Sequence, residues 1–277
     1  MPHHISLARI ERARTHLWRT EPSRQIAEER DALRFIKELG FVMLLSLRGS
    51  ELPSLHAAAG GNWGLWWDWK QTLPERRACF YSHLLRRRGT FLSWEWFPAF
   101  YAAHADLLTY RQLYRAGRLD RTEKQVLDLL DARGPLMTRE LRLLYGPPSK
   151  ENTRRVKQTL VELQRRLLIC AAGGSTEGWS HHRWDLVDRW VGPELMLAAR
   201  GLSREEAREK LVAQFIRTAV ATTPADIAWL FAWERTEVNR LLAHLLAAGR
   251  AEVASVAELG GDVIVPKPWP LAGRRRT

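Results

Sequence analysis

The chain has 277 residues, and at about 100–200 residues per domain this length predicts two or three domains. Hydrophobic residues make up 45% of the chain and charged residues 27%, a globular balance that argues against intrinsic disorder. Lys and Arg number 43 against 31 Asp and Glu, a net charge of +12. So basic a chain favours a nucleic-acid partner, the alternative being a generally arginine-rich proteome.

The composition also argues against several other classes of protein. Cys79 and Cys170 are far apart and neither lies in a Cys-x-x-Cys pair, which predicts no disulfide framework and no metal site. No stretch approaches the roughly 18 uncharged apolar residues of a membrane span. The N-terminus lacks the apolar run of a secretory signal. We therefore expect a cytoplasmic protein with no metal and no cofactor.

Residues 1–118 have the least regular pattern. A helix is predicted to open at Pro22 and Ser23 and to end at Gly40. The apolar run that follows is short enough to be a strand or a buried helix, and periodicity does not decide between them.

A tryptophan-rich segment comes next in this region. Gly60 and Gly61 open a predicted loop with four tryptophans, Trp63, Trp66, Trp67 and Trp69. These rings either stack on unpaired bases or pack as an aromatic lid. A helix over residues 73–89 and an aromatic stretch over 91–104 are predicted to follow. We interpret residues 1–118 as a divergent winged-helix-like domain with a tryptophan-rich insertion.

Two later segments share one design, which indicates an internal repeat. Residues 119–198 read as a helix from Thr122, a short helix capped by Thr138, a long helix opened by Ser149, and two strands around a glycine-rich turn. Residues 199–277 repeat this order, starting with a capping box of Ser203 and Glu206. The apolar positions of the two long helices match, at Val156, Leu160 and Leu163 and at Val238, Leu242 and Leu245.

This order of elements is typical of a winged helix, a helix-turn-helix whose hairpin forms a wing. The predicted fold class is therefore mainly α with small β wings, in tandem winged-helix domains. A generic helical repeat is the alternative, although it would not end each unit with a pair of strands.

The third helix of a winged helix is the element that enters the major groove. In residues 119–198 its polar face carries side chains that read base edges or neutralise phosphates: Lys150, Asn152, Arg154, Arg155, Lys157 and Gln158. The matching face in residues 199–277 is more acidic and predicts weaker binding. A solvated helix face without a ligand is the alternative interpretation.

Other basic residues are candidates for phosphate contact. Three arginines, Arg86, Arg87 and Arg88, end a predicted helix, where they either contact phosphates or complement the helix dipole. His181 and His182 lie on the returning strand of the first predicted wing and either contact the groove or are plain surface residues. Because neighbours on a strand face opposite sides, the two histidines are not expected to share a metal.

Three stretches then resemble a known family: ISLARIERARTHLWR, ELGFVMLLSL and RRRGTFLSWEWFPAFYAAH. They resemble the opening helix, the segment after the second helix, and the aromatic helix of the winged-helix DNA glycosylases of the AlkZ/YcaQ type. Residues 122–195 and 203–266 follow that family's second and third winged helices. The resemblance implies double-stranded DNA as the partner and alkylated or crosslinked bases as the substrates.

The sequence departs from the family at its catalytic motif, Gln-x-Gln or Gln-x-Asp, which follows a Leu-Gly-x-Val lead. Here the lead is followed by Met43 and Leu45 at the two polar positions, and neither side chain can take a proton from water. The resemblance thus implies a shortened relative that has lost the chemistry or has moved it to Glu51 or Glu95. An active DNA glycosylase and a transcription regulator remain the alternatives. We expect Met43 and Leu45 at the edge of an apolar cleft lined by aromatic side chains.

Overall fold

The computed structural model describes residues 3–175 and 182–270, and most of this part of the chain is helical. The strands within it form three small sheets of three strands each. This agrees with the predicted mainly α class with small β elements. Three sequential units account for most of the elements, and each unit contributes to one sheet.

The first unit runs from α2 (Glu29–Leu39) through β2 (Phe41–Met43), α3 (Leu55–Ala58) and α4 (Trp63–Glu75) to the hairpin of β3 (Phe80–His83) and β4 (Gly89–Leu92). Its antiparallel sheet has the order β2-β4-β3. Gly40 ends α2 at φ 81° as predicted, but α2 begins at Glu29, because residues 22–24 form only a 3-10 turn.

Two predictions for this unit are wrong. The tryptophan-rich segment is not a looped insertion but helix α4, the third helix of the unit. The helix predicted over residues 73–89 ends at Glu75, and Arg77 at φ 52° turns the chain into β3. The register pairs Phe80 with Leu92 and Tyr81 with Phe91, so aromatic and aliphatic side chains meet across the strands.

The second unit contains α7 (Arg121–Arg133), β5 (Leu136–Met137), α8 (Thr138–Tyr145), α9 (Lys150–Arg165), β6 (Ile169–Gly174) and β7 (His182–Leu186), after α5 (Phe97–His104) and α6 (Tyr110–Arg115). Its sheet order is β5-β7-β6. The predicted inward residues Val156, Leu160 and Leu163 are buried, and Ser149 caps α9. Thr138 is not the cap of α8: Met137 holds that position, and the Thr138 hydroxyl accepts a hydrogen bond from Trp184 Nε1 at 2.9 Å.

The third unit contains α12 (Arg204–Ala219), α13 (Pro224–Phe231), α14 (Arg235–Ala247), β8 (Ala251–Val256) and β9 (Gly261–Pro266), after α10 (Val187–Val191) and α11 (Pro193–Arg200). Ser203 and Glu206 form the predicted capping box. A single bridge from Thr222 to Ile264 adds a short third partner beside β9. The order of elements therefore repeats in the first two units, and in the third unit the Thr222 bridge takes the place of the first strand.

The N-terminal segment packs against the third unit. β1 (His3–His4) pairs in parallel with β8, and α1 (Leu7–Leu17) lies beside it. Ile5 and Ile10 share an apolar cluster with Val220 and Val256. A second cluster joins the first unit to the second, and a third joins the first unit to the third. The first unit therefore packs against both of the others, while the proposed boundaries of the three domains remain a prediction.

Candidate nucleic-acid interface

The outer face of α9 carries the residues predicted to bind DNA. Lys150, Arg154, Arg155, Lys157 and Gln158 are exposed. The opposite face of the helix packs into the core, so this polar face is presented to solvent over most of its length. Five of the six side chains that the sequence placed on one helix face are thus displayed together.

The charges on this face are not equivalent. Arg155 pairs with Glu151 one turn earlier at 2.6 Å, so its charge is locally balanced. Arg154 donates only to the amide oxygen of Gln158 at 3.5 Å, and within residues 3–175 and 182–270 neither it nor Lys157 forms an ion pair. Arg154, Lys157 and Lys150, which forms no ion pair in the same residues either, are therefore the cations of this face most available to an anionic ligand.

Asn152 is less available than the cations around it. It is half-buried, and its Nδ2 donates to the Pro147 carbonyl at 2.9 Å. Its amide thus fastens the loop before α9 to the first turn of the helix. This hydrogen bond uses one of the two Nδ2 donors of Asn152 and restricts how the amide can turn toward a base edge.

The corresponding face of α14 is more nearly neutral. Glu237 forms an ion pair with Arg208 of α12, and Arg240 lies 3.6 Å from Glu205. Both pairs join α14 to the first helix of its own unit. The greater acidic content noted in the sequence thus corresponds to an ion pair for Arg240, whereas Arg235 has none among the described residues.

Helix α4 uses most of its tryptophans for packing. Trp66 and Trp69 are buried, Trp67 is half-buried, and Trp63 is 54% exposed and stacks on Trp67 at 4.3 Å between ring centroids. Lys70 lies with its Nζ 2.9 Å from the centre of the Trp67 ring, and burial lowers its pKa to about 8. The arrangement favours the packed aromatic alternative, with Trp63 as the exposed ring.

The arginine triplet lies in the turn between β3 and β4, so its prediction as a helix end is wrong. Arg86 lies 4.7 Å from the centre of the Trp229 ring and donates to the Trp229 carbonyl at 3.3 Å. Arg87 is 3.7 Å from Glu162, and Arg88 is exposed. The triplet thus sits at the tip of a hairpin that reaches both other units.

Of the two histidines predicted on the first wing, the described residues include His182. His182 is half-buried, and its Nδ1 lies 3.0 Å from Gln71 Oε1 of α4. This contact ties β7 to the first unit rather than presenting the ring to a groove. His181 lies outside the described residues.

The two family positions do not share a cleft. Met43 is fully buried, with its backbone N–H bonded to the Pro53 carbonyl at 2.9 Å and its sulfur 3.7 Å from the Thr90 hydroxyl. Leu45 is 46% exposed just beyond the strand. The expectation that both side chains line the edge of an aromatic cleft is wrong, because β2 ends at Met43 and Leu45 lies beyond it, where the two side chains no longer share one strand face.

A cleft of about 520 Å³ lies directly after Leu45, between α1 and the segment that leads into α3. Its lining is mixed rather than apolar: Arg14 lies on α1, Trp18 lies at the C-terminal end of that helix, and Ser46 and Ser54 come from the facing segment. The hydroxyls of Ser46 and Ser54 are 2.8 Å apart. The aromatic lining that the sequence predicted is reduced to Trp18.

Arg14 is the charged residue that joins this cleft to the third unit. It donates to the carbonyls of Ala219 and Ala221 at 2.9 and 2.8 Å and forms an ion pair with Glu51. The sequence analysis missed it. The signal was present, since Ile10 and Arg14 on α1 and Trp18 at its end recur every four residues, which is the spacing of one helix face.

The two carboxylates named as catalytic candidates lie in different surroundings. Glu51 is half-buried beside the cleft, and burial raises its pKa above the usual range, while Arg14 opposes the rise. Asp226 at the start of α13 adds to the rise. Glu95 is exposed and forms no ion pair in the part of the chain described. Only Glu51 combines a cleft with the raised pKa of a general base.

The described residues contain no group of three or more His, Cys, Asp or Glu that could hold a metal ion. Cys79 and Cys170 are both buried free thiols. Within the same residues, no helix is both long and apolar enough to cross a membrane.

Comparisons with known proteins identify a family and a fold. A family model described as AlkZ related matches residues 26–232. Among solved structures, the Streptomyces sahachiroi DNA glycosylase AlkZ is similar over 95% of this chain and 70% of its own chain, with a TM-score of 0.61 and 14% sequence identity. At that identity the likeness shows a shared fold. No curated protein matches the sequence significantly.

Proposed function

The chain belongs to the AlkZ-related family, and on that basis we propose that it binds double-stranded DNA through tandem winged-helix units. The order of elements supports this proposal. The first two units both have the order helix, strand, helix, helix, strand, strand, and in the third unit the Thr222 bridge stands where the first strand would be. In the first two units the first strand pairs with the third, as β2-β4-β3 and β5-β7-β6. Each hairpin would then be a wing.

The observation that carries the proposal is the charge state of α9. In a winged helix the third helix enters the major groove, and α9 holds that position in the second unit. Arg154 and Lys157 are exposed there without a carboxylate partner among the described residues. Unpaired cations can neutralise phosphates and release counterions, which is the main source of affinity for duplex DNA.

We further propose that the protein lacks the usual catalytic pair of its relatives. Met43 is enclosed in the core and Leu45 is an exposed apolar side chain, so neither position can hold or activate water. The protein would then recognise duplex DNA without releasing a base from it.

An active glycosylase is the second candidate, and Glu51 is the observation that favours it. Its carboxyl group combines a raised pKa with a place beside a cleft that begins one residue after Leu45. A base-release assay on methylated duplex DNA separates the two candidates. We expect no release from the wild type. Release that Glu51→Gln abolishes and Glu95→Gln leaves intact would establish the enzyme.

Binding is tested by fluorescence anisotropy with a labelled duplex over a range of salt concentrations. Each phosphate contact contributes about 0.9 to the slope of log affinity against log salt, so we expect a steep slope. A slope near zero would refute the proposal of DNA binding. Equal affinity for unrelated duplex sequences would exclude the alternative of a transcription regulator that reads one site.

A further inference from the structure

A second cavity, of about 440 Å³, lies where the turn between β3 and β4 meets α5 and the end of α13. Its volume falls in the range of about 300–1,000 Å³ that is usual for small-molecule sites. Leu85, Phe100 and Leu230 supply apolar walls, and His104 lies among them. None of the motifs discussed above accounts for this cavity, which we name the His104 cavity.

The His104 ring is held in one orientation. It stacks on Phe100 at 4.4 Å and on Trp233 at 5.3 Å between ring centroids, and its Nδ1 lies 3.0 Å from the Phe100 carbonyl. Its Nε2 is buried and has no hydrogen-bond partner among the described residues. A buried polar atom without a partner carries a desolvation penalty, and a ligand that forms a hydrogen bond with Nε2 would remove it.

The protonation state of His104 defines what that ligand must offer. Burial lowers the pKa of His104 to about 4, helped by the nearby charges of Arg208 and Arg204, so the ring is neutral at pH 7. Because Nδ1 faces a carbonyl, Nδ1 carries the proton and Nε2 is an acceptor. A ligand therefore has to bring an N–H or O–H donor to the apolar end of the cavity.

Three arginines that also line the cavity, Arg86, Arg87 and Arg165, favour an anionic group on the ligand. Glu162 is the carboxylate that pairs with them, at 3.7 Å from Arg87 and in direct contact with Arg165. Arg86 is held by Trp229 instead. Three cations with one carboxylate leave a net positive charge, which suits a phosphate group.

We propose that the His104 cavity binds a nucleoside 5′-phosphate moiety, with an amino group of the base donating to His104 Nε2 and the phosphate held by Arg87 and Arg165. Aromatic and aliphatic walls suit the flat face of a base between these two ends. The inference goes beyond duplex binding, because it requires only one unpaired nucleotide. A free nucleotide and an unpaired nucleotide of a DNA strand offer the same chemistry.

The test is isothermal titration of the full chain at low salt with three probes. AMP carries both recognised groups, adenosine lacks the phosphate, and purine riboside 5′-monophosphate lacks the amino group. We expect AMP to bind about tenfold more tightly than either of the others, because each loses one hydrogen-bonded group. Undetectable AMP binding at millimolar concentration, or equal affinity for AMP and purine riboside 5′-monophosphate, would overturn the proposal.

Variants place the ligand in the cavity. His104→Phe keeps the stacked ring and removes the acceptor, so it should weaken AMP binding about tenfold but leave purine riboside 5′-monophosphate unchanged. Arg165→Gln should weaken AMP binding by a similar factor. Arg235→Gln, at the exposed start of α14, is the control that should change nothing. Equal loss with this control would refute the site, and the three wild-type probes decide the matter even if His104→Phe fails to fold.

Two further arms separate the sources of the nucleotide and the two proposals. Competition between AMP and a short single-stranded oligodeoxyadenylate identifies an unpaired strand nucleotide, and AMP binding without competition identifies a free nucleotide; either result supports the cavity. Duplex binding is measured separately by its salt slope. AMP binding without duplex binding would support this inference and refute the proposed function. Duplex binding without AMP binding would support the proposed function and refute this inference.

Discussion

Replacing Arg154 and Lys157 of α9 together with glutamine should weaken duplex binding through its electrostatic part alone. Both side chains are exposed and lack a carboxylate partner among the described residues. The matched control is the double substitution Glu151→Gln with Arg155→Gln, which removes an ion pair on the same helix and leaves the net charge unchanged. Exposed substitutions of this kind alter stability by about 0.5 kcal/mol or less, so all variants should fold.

The expected size follows from counterion release. Two lost phosphate contacts lower the slope of log affinity against log salt by about 1.8, at about 0.9 for each contact. Affinity falls by some factor when salt rises fourfold, and that factor should be about 12 times smaller for the variant than for the wild type. The control pair should leave the slope unchanged. Glu151→Gln alone frees Arg155 and should steepen the slope by up to about 0.9.

The assay is fluorescence anisotropy with one labelled duplex at four or more salt concentrations, with the melting temperature of each variant measured in parallel. A slope that stays the same in the Arg154 and Lys157 variant would show that α9 does not contact phosphates. An equal change in the control variant would show that the pairing of Arg155 with Glu151 does not decide which cations are available.

Three further predictions concern the cleft and the family positions. Arg14→Ala should lower the free energy of unfolding in urea by about 2–4 kcal/mol, since it removes two charged hydrogen bonds and leaves Glu51 half-buried without its partner; a loss below 0.5 kcal/mol, the usual size for a surface site, would contradict it. The pKa of Glu51 is higher in the folded state than its usual value of 4.5, so above pH 4.5 the folded state binds more protons than the unfolded state. The contribution of Glu51 to the free energy of unfolding therefore falls as the pH rises from 4.5 through the folded pKa. Glu51→Gln should therefore gain stability relative to wild type between pH 4 and pH 7 in urea titrations, and a constant difference would refute the shift. Met43→Gln should cost about 1–3 kcal/mol because its amide N–H groups would be buried without partners, whereas Leu45→Gln should cost about 0.5 kcal/mol or less; equal costs in the same titration would show that Met43 is not enclosed.

The amino-acid sequence was sufficient for the elements whose signals are local. Helix α9 begins at Ser149 and buries Val156, Leu160 and Leu163, as periodicity predicted. The capping box of Ser203 and Glu206 was equally readable. Caps and the 3.6-residue period act within a few residues of one another, so no distant contact is needed to interpret them. Membership of the family was also visible in three short stretches of sequence.

Tertiary structure decided the parts that depend on residues far apart in the chain. Phe80–His83 became a strand because it could pair with β4, although its pattern also fitted a helix. Met43 is enclosed because the first unit packs against the third. Arg14 meets Glu51 because α1 packs on the third unit, next to the segment of the first unit that carries Glu51. The His104 cavity likewise forms where segments of different units meet. Such sites arise from packing between distant segments, and a sequence pattern reports only on its own neighbourhood.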